Sequence, residues 1–206
     1  AFDLWTAAFF WPLPVEEDGR TDAERLKAGI QARRGARSFP LPPTTQDVFQ
    51  ALVTPRLVNT AITDFSQRLC EQLRFFHWEL EFPEVYGDGG RGGFDVVLGN
   101  PPWERIKLQE KEFFALYDQG VAEASNASVR KRMIESLQRT NPDLWQKYLT
   151  ALRDSECLSK YLRASDRYPL SARGDINTYQ VFAEHDRGLV SHDGRAGIIV
   201  PSGIAT

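Results

Sequence analysis

One stretch constrains this chain more than any other: Phe94-Asp95-Val96-Val97-Leu98-Gly99-Asn100-Pro101-Pro102-Trp103. The apolar run predicts a buried strand, and it stops at Asn-Pro-Pro-Trp. Two successive prolines cannot continue a strand or occupy a helix interior. They leave a stiff turn just beyond the strand's carboxyl end, which is where open α/β sheets bind their ligands. The turn offers one side-chain amide, proline-restrained carbonyls and one flat aromatic ring. Those groups suit a planar, amino-bearing partner, which needs acceptors for its N–H bonds and a surface to stack on.

A second segment follows in the right order. Asp175-Ile176-Asn177-Thr178-Tyr179-Gln180-Val181-Phe182-Ala183 leads into Glu184-His185-Asp186-Arg187-Gly188-Leu189. Ile176, Tyr179, Phe182, Ala183 and Leu189 fall at helical spacing, with Asp175 as the expected N-cap. Asp193-Gly194 reads as a turn. Arg195 to Pro201 then reads as a second buried strand centred on Gly197-Ile198-Ile199-Val200.

Together these segments resemble amino-group methyltransferases that use S-adenosylmethionine, specifically the DNA adenine-N6 class. Within that class they are similar to the large single-chain methylases of restriction-modification and phage-defence systems. Phe75-Phe76-His77-Trp78, followed by Phe82-Pro83-Glu84-Val85, looks like the same group. The resemblance implies an α/β fold: a partial doubly wound sheet, with a helical amino-terminal part and a helical insertion. It implies Asn100, Pro101, Pro102 and Trp103 as the catalytic turn. The Asn100 side-chain oxygen and the Pro101 carbonyl would accept the two N–H bonds of the adenine amine and stabilise the positive charge that grows on it. Trp103 would stack on an adenine rotated out of double-stranded DNA.

The cofactor is implied more than located. Such enzymes hold S-adenosylmethionine mainly through an earlier strand that ends in a glycine turn. The glycine cluster here, Gly87-Asp88-Gly89-Gly90-Arg91-Gly92-Gly93, precedes a strand instead of following one, and it reads as a flexible loop. Asn100 is therefore expected to touch the cofactor, with the main site outside this chain. The chain opens on Ala1 and closes at Thr206 right after a strand. The expectation is a piece of a larger polypeptide, inactive by itself and partnered by the rest of its parent.

Composition bears on the alternatives. A net charge of −3 argues against a strongly basic nucleic-acid module. Residues 104–174 nevertheless carry 13 Lys/Arg against 10 Asp/Glu, and this basic stretch begins right after the turn. Within it, Arg130-Lys131-Arg132 are candidates for phosphate contact, set against the plainer reading of a solvated helix face. Cys70 and Cys157 are far apart with no metal-ligand spacing, so no metal site is expected. His77, with no second ligand nearby, reads as a hydrogen-bonded structural residue. Neither a membrane-spanning run nor a signal-peptide pattern is present, which makes the cytoplasm the default expectation.

The pattern divides the chain into a helical segment, 1–86, and a methyltransferase part, 87–206, with an insertion at 104–174. Predicted helices cover Phe2–Leu13, Asp22–Ala32, Gln46–Val53 (capped by Thr44 or Thr45) and Pro55–Phe76. The apolar stripe of the last is Leu57, Ala61, Ile62, Phe65, Leu69, Leu73 and Phe76. Residues 15–43 are expected to be flexible. Trp78, Leu80 and Phe82 alternate with Glu79 and Glu81 and predict a half-buried extended segment. The insertion reads as helices Glu104–Ala124, Ser128–Arg139 and Pro142–Leu162, separated by Ser125-Asn126-Ala127 and Thr140-Asn141. Two other functions stay open: methylation of an amine or amide on RNA or on a protein glutamine, and a non-catalytic scaffold or DNA-recognition piece that retains the turn.

Overall fold

The computed structural model describes residues 1–11, 42–87 and 89–204, so the predicted helix Asp22–Ala32 and most of the expected flexible stretch lie outside the described residues. The chain divides into two compact units, Ala1–Glu81 and Phe82–Thr206.

The first unit is helical. Helix α1 (Phe2–Phe10) packs with α2 (Thr45–Val53) and α3 (Thr60–Leu73) around Leu4, Ala7, Trp11, Val58, Ile62 and Leu69. A reciprocal capping box starts α2: the Asp47 N–H donates to Thr44 Oγ1, and the Thr44 N–H donates to Asp47 Oδ2 at 2.8 Å. The single helix expected over Pro55–Phe76 is broken. A 3₁₀ turn, Pro55–Leu57, ends at extended Val58, and Asn59 restarts the helix by accepting the Ala61 N–H at 2.9 Å. A short amide side chain that bonds its neighbouring backbone stops one helix and caps the next. The predicted stripe therefore loses its ends, and Leu57 and Phe76 are exposed.

Helix α3 closes at Arg74, which adopts the left-handed conformation at φ 53°. The segment expected to be extended next to it is helical instead. Its first turn is α4 (Trp78–Glu81), in which His77 C=O accepts the N–H of Leu80 and Glu81. Alternating aromatics and glutamates fit a single helical turn as well as a strand, and Pro83 is already set for the first position of the next helix. His77 has a structural partner, since its Nε2 lies 2.9 Å from Asp3 Oδ1 on α1.

The second unit is α/β. It begins with α5 (Pro83–Tyr86), and the rings of Phe82 and Tyr86 meet Phe94 edge-on at 5.3 and 5.7 Å. The glycine run is tied back, with Gly92 N–H donating to Val85 C=O. Gly93 sits at φ +154°, where a Cβ would lie 2.4 Å from the Ser191 nitrogen, so this close approach of two backbones requires glycine. Strand β1 (Phe94–Gly99) then pairs in parallel with β2 (Val190–Ile198). Register runs from Val96 opposite Arg195 to Gly99 opposite Ile198. Asp193-Gly194, expected as a turn before the strand, is instead absorbed inside β2 as a register shift.

Between the strands lie α6 (Glu110–Ala115), α7 (Gln119–Ala122), α8 (Ala127–Thr140), α9 (Pro142–Ala164) and α10 (Thr178–Leu189). Asn126 caps α8 through the Val129 N–H, and Asn141 caps α9 through the Leu144 N–H. The first four helices enclose Phe114, Val121, Ile134, Leu137, Leu144 and Tyr148. A second cluster, Leu162, Tyr168, Ala172, Ile176 and Val181, joins the end of α9 to α10.

One expectation for the strands fails. Both strands were expected to be buried, yet Leu98 is 78% exposed, and Val96 and Ile199 are exposed with it. Among the described residues the sheet has two strands, and α10 covers the face that holds Val97 and Gly99, which leaves the alternate face open.

Candidate active site

The turn at the end of β1 is built by pairings that its own sequence does not show. Helix α6 begins only at Glu110, so the long helix expected from Glu104 is absent there. Instead, residues 104–106 run against residues 176–178. Ile106 N–H donates to Ile176 C=O at 3.1 Å, Thr178 N–H donates to Glu104 C=O at 2.9 Å, and Arg105 bridges Asn177 in antiparallel fashion. That pairing also moves the start of the downstream helix. Residues 176–178 are committed to it, so α10 starts at Thr178 with Asn177 in the N-cap position, and Asp175 is not the cap.

Thr178 adds side-chain bonds to the same place. Its hydroxyl donates to the Pro102 carbonyl at 2.6 Å and accepts the Glu104 N–H at 2.9 Å. On the other side, the Trp103 indole N–H donates to the Ile199 carbonyl just past β2, at 3.3 Å. Trp103 is 56% exposed, so much of the residue faces outward. Asn100 is exposed, Pro101 is buried, and Pro102 is exposed. Among the described residues, neither the Asn100 side chain nor the Pro101 carbonyl has a hydrogen-bond partner. The arrangement is a fixed turn with the Asn100 amide and the Pro101 carbonyl unused beside an exposed ring. Chemically it can accept two N–H bonds and stack a planar group.

Beneath the turn lies Asp186 of α10, 8% exposed, whose carboxylate approaches Gly99. Burial pushes its carboxyl up from the ordinary aspartate value, with His185 opposing. The loop between α9 and α10 is held by Glu184, which accepts the N–H of Leu170 at 2.9 Å and of Ser171 at 2.8 Å, and also the Ser171 hydroxyl. Tyr168, in the same loop, is pushed up to about 12 by burial.

The three consecutive basic residues do not share a surface. Lys131 and Arg132 are exposed, but Arg130 is 6% exposed and points into the helical cluster with Ile134 and Leu137. The spacing explains it: positions 130, 134 and 137 lie on one face of α8. Lys131 and Arg132, not Arg130, are the members of the run that lie at the surface.

Sequence reasoning missed Thr178, the Ile199 carbonyl and Asp186. The only local signal for Thr178 was a hydroxyl residue at the head of a helix, and such residues usually serve their own helix. Here the hydroxyl serves a turn 74 residues earlier in the chain.

β1 runs into Asn-Pro-Pro-Trp and β2 into Ile199-Val200-Pro201, so neither strand is followed by a glycine-rich turn. Among the described residues, no group of His, Cys, Asp and Glu is arranged to hold a metal ion, and no helix is long and apolar enough to cross a membrane.

Comparison with known proteins adds one finding. No curated protein and no solved structure matches the chain. A family model described as Eco57I restriction-modification methylase matches residues 20–143. That span is more than half of the chain and includes β1 and the turn that follows it, and so the chain belongs to the Eco57I restriction-modification methylase family.

Proposed function

We propose that the chain carries the catalytic turn of a site-specific DNA methyltransferase that methylates the N6 amine of adenine. The observation that supports this most is the turn itself: Asn100 and the Pro101 carbonyl without partners, beside the exposed ring of Trp103, at the carboxyl end of a parallel strand. The fold would then be part of a class I methyltransferase sheet, with 104–174 inserted between its catalytic strand and the next helix.

The chemistry asked of these residues is modest. The adenine amine is a poor nucleophile because its lone pair is delocalised into the ring. Two acceptors, the Asn100 amide oxygen and the Pro101 carbonyl, draw its N–H bonds out of the ring plane and return the lone pair to nitrogen. The same acceptors face the positive charge that develops on that nitrogen. Trp103 holds the base, rotated out of the duplex, by stacking. The methyl group comes from S-adenosylmethionine, which Asn100 would touch and which residues other than those described would mainly hold. DNA in the cytoplasm is the substrate on this reading. The turn would serve any planar NH2 group, but Trp103 favours a nucleobase over a glutamine amide.

The test is to identify the product. The full-length protein is incubated with duplex DNA and methyl-labelled S-adenosylmethionine, and the DNA is hydrolysed to nucleosides. Label in N6-methyl-2′-deoxyadenosine supports the proposal, whereas label in a cytosine deoxynucleoside, or no label in the DNA at all, contradicts it.

A further inference from the structure

We propose that Thr178 is a positioning residue for the methyl-transfer reaction. The proposal rests on the reading of Asn100 to Trp103 as the catalytic turn. A Pro-Pro turn is short of donors: two of its residues have no N–H, so fewer local turn bonds can hold it. Thr178 supplies what is missing. One hydroxyl, which can donate and accept at once, takes the Pro102 carbonyl at 2.6 Å and the Glu104 N–H at 2.9 Å. The Thr178 backbone N–H takes the Glu104 carbonyl at 2.9 Å. These three bonds straddle Trp103 and fix the peptide groups on both of its sides.

The consequence is selective. The Pro102 carbonyl is engaged by Thr178, whereas the Pro101 carbonyl next to Asn100 has no partner among the described residues. The indole is held independently by its own bond to Ile199. Thr178 thus withholds the Pro102 carbonyl from the substrate and fixes the turn just after the Pro101 acceptor before the substrate arrives. Preorganised acceptors act on the transition state more than on the bound base, so the loss should fall on kcat.

The experiment compares Thr178→Val, Thr178→Ser and Asn100→Ala with wild type in the full-length methylase. Single-turnover and steady-state methylation, melting temperature and S-adenosylmethionine affinity are measured for each. The expected result is a kcat about tenfold lower for Thr178→Val, the loss of roughly one hydrogen bond, with KM for DNA, cofactor affinity and melting temperature unchanged. Thr178→Ser, which keeps the hydroxyl, should restore most of the rate. Wild-type kcat in Thr178→Val, together with an inactive Asn100→Ala, overturns the role of Thr178 and leaves the catalytic turn standing. Wild-type rates in both variants overturn the catalytic turn as well. A joint fall of melting temperature, cofactor affinity and rate in Thr178→Val, or no rescue by serine, means the hydroxyl is merely structural and overturns the proposal.

Discussion

Trp103 shows how a single residue can be readable in kind and unreadable in detail. That an aromatic ends the turn is plain from the sequence, because Pro101 and Pro102 fix the backbone before it. What holds the ring is not plain. Its indole N–H reaches the Ile199 carbonyl, and Thr178 clamps the peptides around it, from the far side of a long helical insertion. Arg130 makes the same point in reverse. Its neighbours suggest a basic surface, and only the helical face it shares with Ile134 and Leu137 shows that it is buried. At this scale the account predicts that Trp103→Phe keeps substantial methylation, because a ring remains, though its bond to Ile199 is lost. Trp103→Ala should lose far more, since stacking contributes about 1–3 kcal/mol per base, a factor of roughly five to 150. Methylation rates of the two variants check this, and equal rates for Trp103→Ala and wild type would show that the ring does not stack on the target.

Among the elements, those with their caps in the local sequence were legible. Helices α8 and α9 fall within one or two residues of expectation, because Asn126, Asn141 and Pro142 mark their starts. The elements around the turn were not, because a remote partner decides them. Residues 104–106 are extended only because 176–178 pair with them. The loop before α10 is likewise held by a remote group, Glu184, and this gives a pH signature. Burial raises the Glu184 carboxyl, but the bonds from Ser171 and Leu170 and the nearby Arg187 outweigh it and leave the group below its ordinary 4.5. A carboxylate depressed in the folded state contributes stability that is fully present above its unfolded value and lost as pH falls through the folded one. Thermal unfolding measured as pH is lowered through 4.5 and below should therefore show a loss of stability that is reduced in Glu184→Gln. An identical acid-side profile in that variant would mean that the Glu184 bonds do not hold the loop in solution.

At the scale of the whole molecule, the α/β class and the order strand, turn, helices, helix, strand were legible, since they follow from hydrophobic pattern and punctuation. The exposure of the sheet was not: a strand's apolar residues say what it can bury, not what is present to cover it. Leu98, Val96 and Ile199 stand open among the described residues. The same incompleteness governs cofactor binding. Among the described residues neither strand is followed by a glycine-rich turn, and on the proposed reading Asn100 alone would have to offset the lost freedom of the ligand. Calorimetry on the 206-residue chain should give no S-adenosylmethionine binding in the micromolar range, which is about −8 kcal/mol on the affinity scale. A micromolar dissociation constant would reveal a cofactor site within the chain.

The central claim is that Asn100 accepts the amine of the base to be methylated. Its most direct test is the methylation rate of Asn100→Ala in the full-length methylase, measured beside circular dichroism and melting temperature. The account predicts a folded protein that melts like wild type and no longer methylates adenine, because the developing charge on the amine has lost its side-chain acceptor. A folded Asn100→Ala protein that methylates adenine at near wild-type rate would contradict it.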